Sequence, residues 1–253
     1  MELGLTGRVY VLTGASRGLG FATALRLVAE GARVVISSRD PVRVAAAVER
    51  LGGAEHAVGI DADLSDAATP QRLIMTATDR FDRLDGALIS VGGPPPGTAL
   101  ATTDDQWLTA FQTIFLGALR TARAIADRLD AGGAIGFVLS TSARTPITGL
   151  GISNGLRPGL LGVAKDMADE LAPRGIRVIS LLPGRIKTDR TTELMATAAD
   201  PHAALAAVEA AIPLRRMGTP EEFGQVAAFL LSPAASYLTG IAVPVDGGAT
   251  RAL

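Results

Sequence analysis

Cysteine is absent from this chain, tyrosine and histidine occur twice each, and tryptophan once. The missing cysteine excludes disulfides, zinc–thiolate sites and thiol nucleophiles together, and no metal site is expected. Only Lys165 and Lys187 are lysines; every other basic side chain is an arginine. Net charge is −1 and no basic stretch is interleaved with aromatics, so nothing favours nucleic-acid binding. Mean hydropathy is mildly positive, yet no uninterrupted apolar run reaches transmembrane length. The opening "MELGLTGRVYVLTG" leads straight into a strand, with no room for a signal peptide. A cytoplasmic protein without a membrane segment is expected.

What is present is an alternation of short β-branched runs and longer amphipathic stretches. "RVYVLTG", "ARVVISSR", "HAVGIDADL", "GALISVGG", "AIGFVLSTS", "IRVISLLPG" and "GIAVPVDGG" read as strands. Between them, "GFATALRLVAEG", "PVRVAAAVERLGG" and residues about 66–82, 103–130, 155–173, 190–210 and 220–232 read as helices. Strands joined by helices imply right-handed crossovers and a parallel sheet covered on both faces. No linker rich in proline, glycine or serine divides the 253 residues, so one doubly wound α/β domain of about seven strands is expected.

The first strand runs into "TGASRGLG", Thr13 to Gly20. A glycine-rich turn between a first strand and a helix lets backbone approach a pyrophosphate, which the exposed N–H groups and helix dipole then attract. Gly14, Ser16, Arg17, Gly18, Leu19 and Gly20 are therefore candidate cofactor contacts. The spacing is G-x-x-x-G-x-G, distinct from the common G-x-G-x-x-G. The second strand ends "ISSRD", with Ser38 at its tip and Arg39 next. An acidic residue there would hold a ribose 2′-OH, whereas arginines suit a 2′-phosphate. Arg17 and Arg39 together favour NADP(H) over NAD(H). Asp40 complicates this reading and is equally suited to capping the following helix.

At this point the chain resembles the short-chain dehydrogenase/reductase family over nearly its whole length. "TGASRGLG", "DADLSD", "LPGRIKTDR", "RMGTPEEFGQVAAFLLSPAASYLTG" and "VPVDGG" stand in the family's order and spacing. The resemblance implies a seven-stranded Rossmann-type sheet, a nicotinamide cofactor, a small-molecule substrate, and assembly as a homodimer or homotetramer. It places Asp63 and Leu64 at the adenine, and Ser90 and Gly92 along the cofactor after the fourth strand. Pro183, Gly184, Ile186 and Thr188 fall at the nicotinamide end.

Family members carry an asparagine, a serine and a Tyr-x-x-x-Lys pair, in which nearby positive charge makes the phenol a usable proton donor. Aligning "ISNGLRPGLLGVAKDMADELAPRGIRV" puts Ser153 at the tyrosine position and Arg157 at the lysine position. Ser140 falls at the serine position and Ile114 at the asparagine position. Tyr10 and Tyr237 lie too far along the chain to substitute. Arginine stays protonated, so it is a poor proton relay but a good fixed charge, and it grips carboxylates or phosphates well. His202, in the alanine-rich stretch of about 190–213 expected to cover the substrate, is a further candidate proton donor.

Structural roles compete with each of these. Ser153 and Asn154 also suit a helix cap. Pro158 would then fall near the first turn, and Gly155, Gly159 and Gly162 would allow close helix packing. Arg157 also suits pairing with a helix acid or a subunit interface, and "GGPPPG" a rigid turn. Three functional readings follow. The first is an atypical NADP(H)-dependent oxidoreductase in which Ser140 and Ser153 orient a carbonyl or hydroxyl and Arg157 stabilises charge on oxygen. The second is a binding protein without redox chemistry. The third is a non-redox cyclase or lyase using Arg157 to grip an anionic substrate.

Overall fold

The computed structural model describes residues 2–189, 191 and 200–251. All seven expected strands form: β1 (Val9–Thr13), β2 (Arg33–Ser38), β3 (Ala57–Asp61), β4 (Gly86–Ser90), β5 (Ala134–Val138), β6 (Arg177–Pro183) and β7 (Ile241–Val245). They make one parallel sheet in the order β3-β2-β1-β4-β5-β6-β7, so the order reverses between β1 and β4. Side chains of a strand alternate between faces, and β1 shows it: Tyr10 and Leu12 enter one core cluster, Val9 and Val11 the other. Two buried faces explain why these strands read as near-continuous apolar runs.

Helices α1 (Gly18–Ala29), α2 (Pro41–Arg50), α3 (Thr69–Phe81) and α4 (Asp104–Ala110) follow in chain order. A π-helical segment, Phe111–Leu116, joins α4 to α5 (Gly117–Ala126). Then come α6 (Gly151–Leu171), α7 (Pro201–Ala211) and α8 (Pro220–Leu231). α1 and α8 cover one face; Gly224 makes this possible, because a Cβ there would stand 2.6 Å from the Ala22 carbonyl oxygen. α3, α5 and α6 cover the other face. Among the described residues no helix is long and apolar enough to cross a membrane.

Three local expectations are corrected. Residues 103–130 do not form one uninterrupted α-helix; the turn at 111–116 widens to π geometry. α6 begins at Gly151, so Ser153 and Asn154 do not cap it; Asn154 instead brackets Ile147, accepting from its N–H and donating to its carbonyl, both at 2.9 Å. Pro158 accordingly stands inside the helix on its exposed side, where the N–H it lacks would have bonded within the helix. Gly155 and Gly159 do admit close neighbours, Trp107 and Phe115 respectively, whereas nothing approaches Gly162.

The corner beyond β7 is held by carboxylates. Glu222 accepts from Arg216 at 2.6 and 2.8 Å and from the Thr219 N–H at 2.8 Å, and the Arg216 hydrogen bonds chiefly depress its pKa from 4.5 to about 2. Burial alone would raise Asp246, but hydrogen bonds from Thr250, Gly248 and Ala249 hold it below its usual value. A depressed carboxylate stabilises the fold above its unfolded pKa, and that contribution is lost as pH falls through the folded pKa. For Glu222 the window is therefore from about pH 4.5 down to about 2. Protection of the amides at 213–219 and 246–250, taken as exchange relative to the intrinsic rate at each pH, is expected to fall across that window in the native chain. Glu222→Gln should exchange faster at neutral pH and respond less to acid around Thr219. Equal pH responses in both proteins would assign this corner's stability elsewhere.

Candidate active site

The reversal of strand order opens a crevice at the carboxyl ends of the strands, where α/β sheets bind ligands. Its floor is fastened by Thr13, whose hydroxyl donates to the Ser90 carbonyl at 2.8 Å and accepts from the Ser90 N–H at 2.9 Å. Gly14 follows at φ +60°, a left-handed conformation that glycine adopts without strain, and a Cβ there would stand 2.7 Å from the Ser90 carbonyl oxygen. A cleft of about 690 Å³ runs from this turn.

The cleft brings together most of the expected cofactor residues. Gly14, Ser16, Arg17, Ser38 and Arg39 line one end; Asp63, Leu64, Ser90 and Gly92 continue along it. Gly18 stands at the mouth, 3.7 Å from Thr188 as measured from the Cβ it lacks, and Arg17 reaches Asp189 at 3.7 Å. Leu19 and Gly20 support the turn from behind: Leu19 packs on the core, and a Cβ on Gly20 would meet the Gly14 carbonyl at 2.8 Å. Pro183 ends β6, Gly184 lies against Asp246, and buried Ile186 accepts from the Thr188 N–H at 2.9 Å. None of these four is among the residues lining that cleft, and Ile186 lines a separate one with Arg216, Glu222 and Asp246.

Sequence reasoning missed Arg43. It lies one helical turn beyond Arg39, lines the same end of the cleft, and pairs with Asp40 at 3.0 Å. The "RDPVR" spacing carried the signal. Asp40 does cap α2, accepting from Val42 and Arg43 N–H groups at 3.0 and 3.1 Å.

The centre expected around positions 140, 153 and 157 is largely buried. Ser153 is 6% exposed and Arg157 4% exposed. Ser153 shares a 2.9 Å hydrogen bond with Ser142, a residue the alignment overlooked. Ser140, partly exposed just past β5, accepts from the Ser142 N–H at 3.1 Å, and its own hydroxyl hydrogen is left to donate. Arg157 donates to the Val138 carbonyl at 2.9 Å and to the Gly92 carbonyl at 3.5 Å, bracing the ends of β5 and β4. Buried and outside the lining of the cleft, it does not stand in the crevice as a substrate clamp. Ile114 lies in the π-helical segment and joins Ala110, Ile152 and Leu156 in an apolar cluster. The "GGPPPG" loop is tied to the entry of α6, with Gly97 bonded to Gly149 and Gly151 at 2.8 Å each.

The other candidates stand apart. Tyr10 is sealed beneath α8, donating to the Leu231 carbonyl at 3.3 Å, and burial pushes its pKa up to about 12. Tyr237 is fully exposed. Of the expected covering segment, residues 190 and 192–199 lie outside the described residues. Its described part is α7, which carries His202 on an exposed first turn and is tied down by Lys187 to Glu209 at 3.5 Å. Among the described residues no group of three acidic or histidine side chains could hold a metal.

The family model for enoyl-(acyl carrier protein) reductase matches residues 14–250. Mouse dehydrogenase/reductase SDR family member 4 is 34% identical over 249 residues, covering 96% of this chain and 88% of its own length. The chain belongs to the short-chain dehydrogenase/reductase family. Solved structures in which this fold recurs include L-sorbose reductase from Gluconobacter frateurii, complexed with NADPH and L-sorbose, at 28% identity and TM-score 0.90. A short-chain oxidoreductase from Pseudomonas aeruginosa PAO1, described as containing an atypical catalytic center, matches at 28% identity and TM-score 0.91. Each covers 100% of both chains. Short-chain dehydrogenases/reductases of this kind are NAD(P)-dependent oxidoreductases, and the Rossmann-type sheet described above is theirs.

Proposed function

We propose that this protein is an NADP(H)-dependent oxidoreductase that moves hydride between the nicotinamide and a carbonyl or hydroxyl carbon of a small molecule, without a Tyr–Lys pair. The observation that carries this reading is that Arg17, Arg39 and Arg43 line the same end of the cleft as the glycine turn, to which Arg17 itself belongs. Guanidinium groups suit a 2′-phosphate, and the turn's backbone suits the pyrophosphate. NADPH bound to L-sorbose reductase supports the same choice. The nicotinamide would supply hydride; Pro183, Gly184, Ile186 and Thr188 would hold it against the substrate, with Ser140 donating to the substrate oxygen. Assembly as a homodimer or homotetramer belongs to the same proposal.

Paired titrations with NADPH and NADH test it. Tighter NADPH binding is expected, weakened about tenfold or more in Arg39→Ala, the loss of one charge-assisted contact. NADH binding should not change in that variant. Binding of neither nucleotide by the native chain would end the oxidoreductase reading. The burial of Ser153 and Arg157 favours a second reading, nucleotide binding without turnover. Hydride transfer to any carbonyl in a single-turnover experiment would exclude it.

A further inference from the structure

Arg43 stands where helix stability alone would not put it. Pro41 and Val42 open α2, so Arg43 falls in the first turn, where a cation meets the positive end of the helix dipole. Asp40 offsets this. Its Oδ1 accepts from the Val42 and Arg43 N–H groups at 3.0 and 3.1 Å, and its Oδ2 pairs with Arg43 Nε at 3.0 Å. Both carboxylate oxygens are thus engaged, whereas the Nη groups of Arg43 have no partner among the described residues. Asp40 and Arg43 line the cleft and are about half exposed, at 45% and 56%. A pair so open to water is worth a factor of about five at most, so a ligand can remodel it.

The surroundings say which ligand this concerns. Ser38 ends β2 and holds the corner, accepting from the Asp40 N–H at 3.4 Å, and Arg17 and Arg39 line the same end. A carboxylate beyond a second strand suits a ribose 2′-hydroxyl, and guanidinium groups suit a 2′-phosphate. This chain places both kinds side by side, and the ion pair sets one against the other. While Arg43 holds Asp40, the carboxylate charge is offset and its second oxygen is occupied.

We propose, resting on the NADP(H) reading above, that the Asp40–Arg43 pair is the nucleotide-specificity switch of the cleft. Arg43 donates to the 2′-phosphate through its Nη groups and, by the same pairing, keeps Asp40 from accepting a ribose 2′-hydroxyl. Arg39 serves the phosphate alone. Two arginines four residues apart therefore differ in role: loss of Arg39 removes NADPH affinity only, whereas loss of Arg43 also creates affinity for NADH.

Binding titrations test this with NADPH, NADH and two fragments lacking the nicotinamide, adenosine 2′,5′-bisphosphate and adenosine 5′-monophosphate. In Arg43→Ala the two 2′-phosphorylated ligands should bind about a hundredfold more weakly, because a charge-assisted contact is lost and an unpaired carboxylate now repels the phosphate. NADH and adenosine 5′-monophosphate should bind about three- to tenfold more tightly, as a ribose hydroxyl gains a carboxylate acceptor. Asparagine caps a helix as well as aspartate does. The double variant Asp40→Asn/Arg43→Ala should therefore keep α2 capped, lose most of the NADH gain and recover about tenfold in NADPH affinity. A merely structural role for Arg43 would move neither readout. Unchanged or weaker NADH binding in Arg43→Ala, native NADPH binding in that variant, or an NADH gain undiminished in the double variant would each overturn the switch and leave the nucleotide reading standing. Failure of the native chain to bind either nucleotide would instead remove the reading on which it rests.

Discussion

Replacing Arg157 by methionine is expected to lower turnover about a hundredfold or more, the usual effect of losing one preorganised source of charge stabilisation. NADPH affinity should hold, because Arg17, Arg39 and Arg43 at the far end of the cleft are untouched. Methionine fills much of the space but cannot donate. The Val138 and Gly92 carbonyls would then lose their partner in a site that is 4% exposed. Leaving buried acceptors unsatisfied costs about 1–3 kcal/mol each, so a loss of about 3 kcal/mol in stability should accompany the kinetic effect. A purely bracing role and an electrostatic role separate in Arg157→Lys. Lysine restores the positive charge and cannot reproduce the two-armed fork. Recovery of kcat without recovery of thermal stability would assign the charge to the chemistry. Recovery of neither, with KM unchanged, would assign the fork to holding the ends of β4 and β5 in place. Native turnover in Arg157→Met would remove the residue from the mechanism.

How legible such a residue is depends on how far away its partners lie. The seven strands could be read because each needs only its own apolar run and a bounding glycine, proline or polar cluster. The cofactor turn was legible for the same reason: Gly14 through Gly20 is local, and its strand and helix are immediate neighbours. Arg157 could be assigned by alignment to a position but not to an environment. Its acceptors are 19 and 65 residues away, and nothing in "GLRPG" announces burial. The start of α6 failed similarly. Its N-cap, Leu150, has no capping side chain, and the helix entry is set by the bridge from Gly97 to Leu150. Local sequence therefore favoured Ser153 and Asn154, which have cap chemistry but no helix end to use it on. Ser142 was hidden by a count of residues: the alignment stopped at Ser140, and the short 3₁₀ turn at Thr141–Ala143 brings the next serine inward instead. The π-helical segment gave no sign, since its apolar positions fit an ordinary helix as well.

Arg177→Met is expected to lower stability by about 4 kcal/mol and the melting temperature by about 10 °C. The reason lies at the C-terminus of α8, whose last carbonyls have no partner within the helix and whose last turn carries no basic residue. Arg177, the first residue of β6, supplies both. It donates to the carbonyls of Leu230 at 2.7 Å, Leu231 at 3.2 Å and Ser232 at 2.9 Å, with a longer contact to Leu238 at 3.4 Å. Burial pulls its pKa below the usual arginine value, yet a guanidinium does not lose its proton in a protein, so the interaction holds across the working pH range. The favourable meeting of this cation with the negative end of the helix dipole is lost with it. Lysine at this position should recover only part of the loss, because one ammonium cannot span three consecutive carbonyls. Because the N-terminal end of β6 is opposite the cofactor cleft, NADPH affinity at 25 °C should be the same in the native protein and in Arg177→Met. A melting shift below about 3 °C would show that α8 is held by its apolar face alone. A full shift together with unchanged NADPH affinity would separate the two buried arginines by role. Arg177 would serve stability at one end of the sheet, and Arg157 the reacting centre at the other.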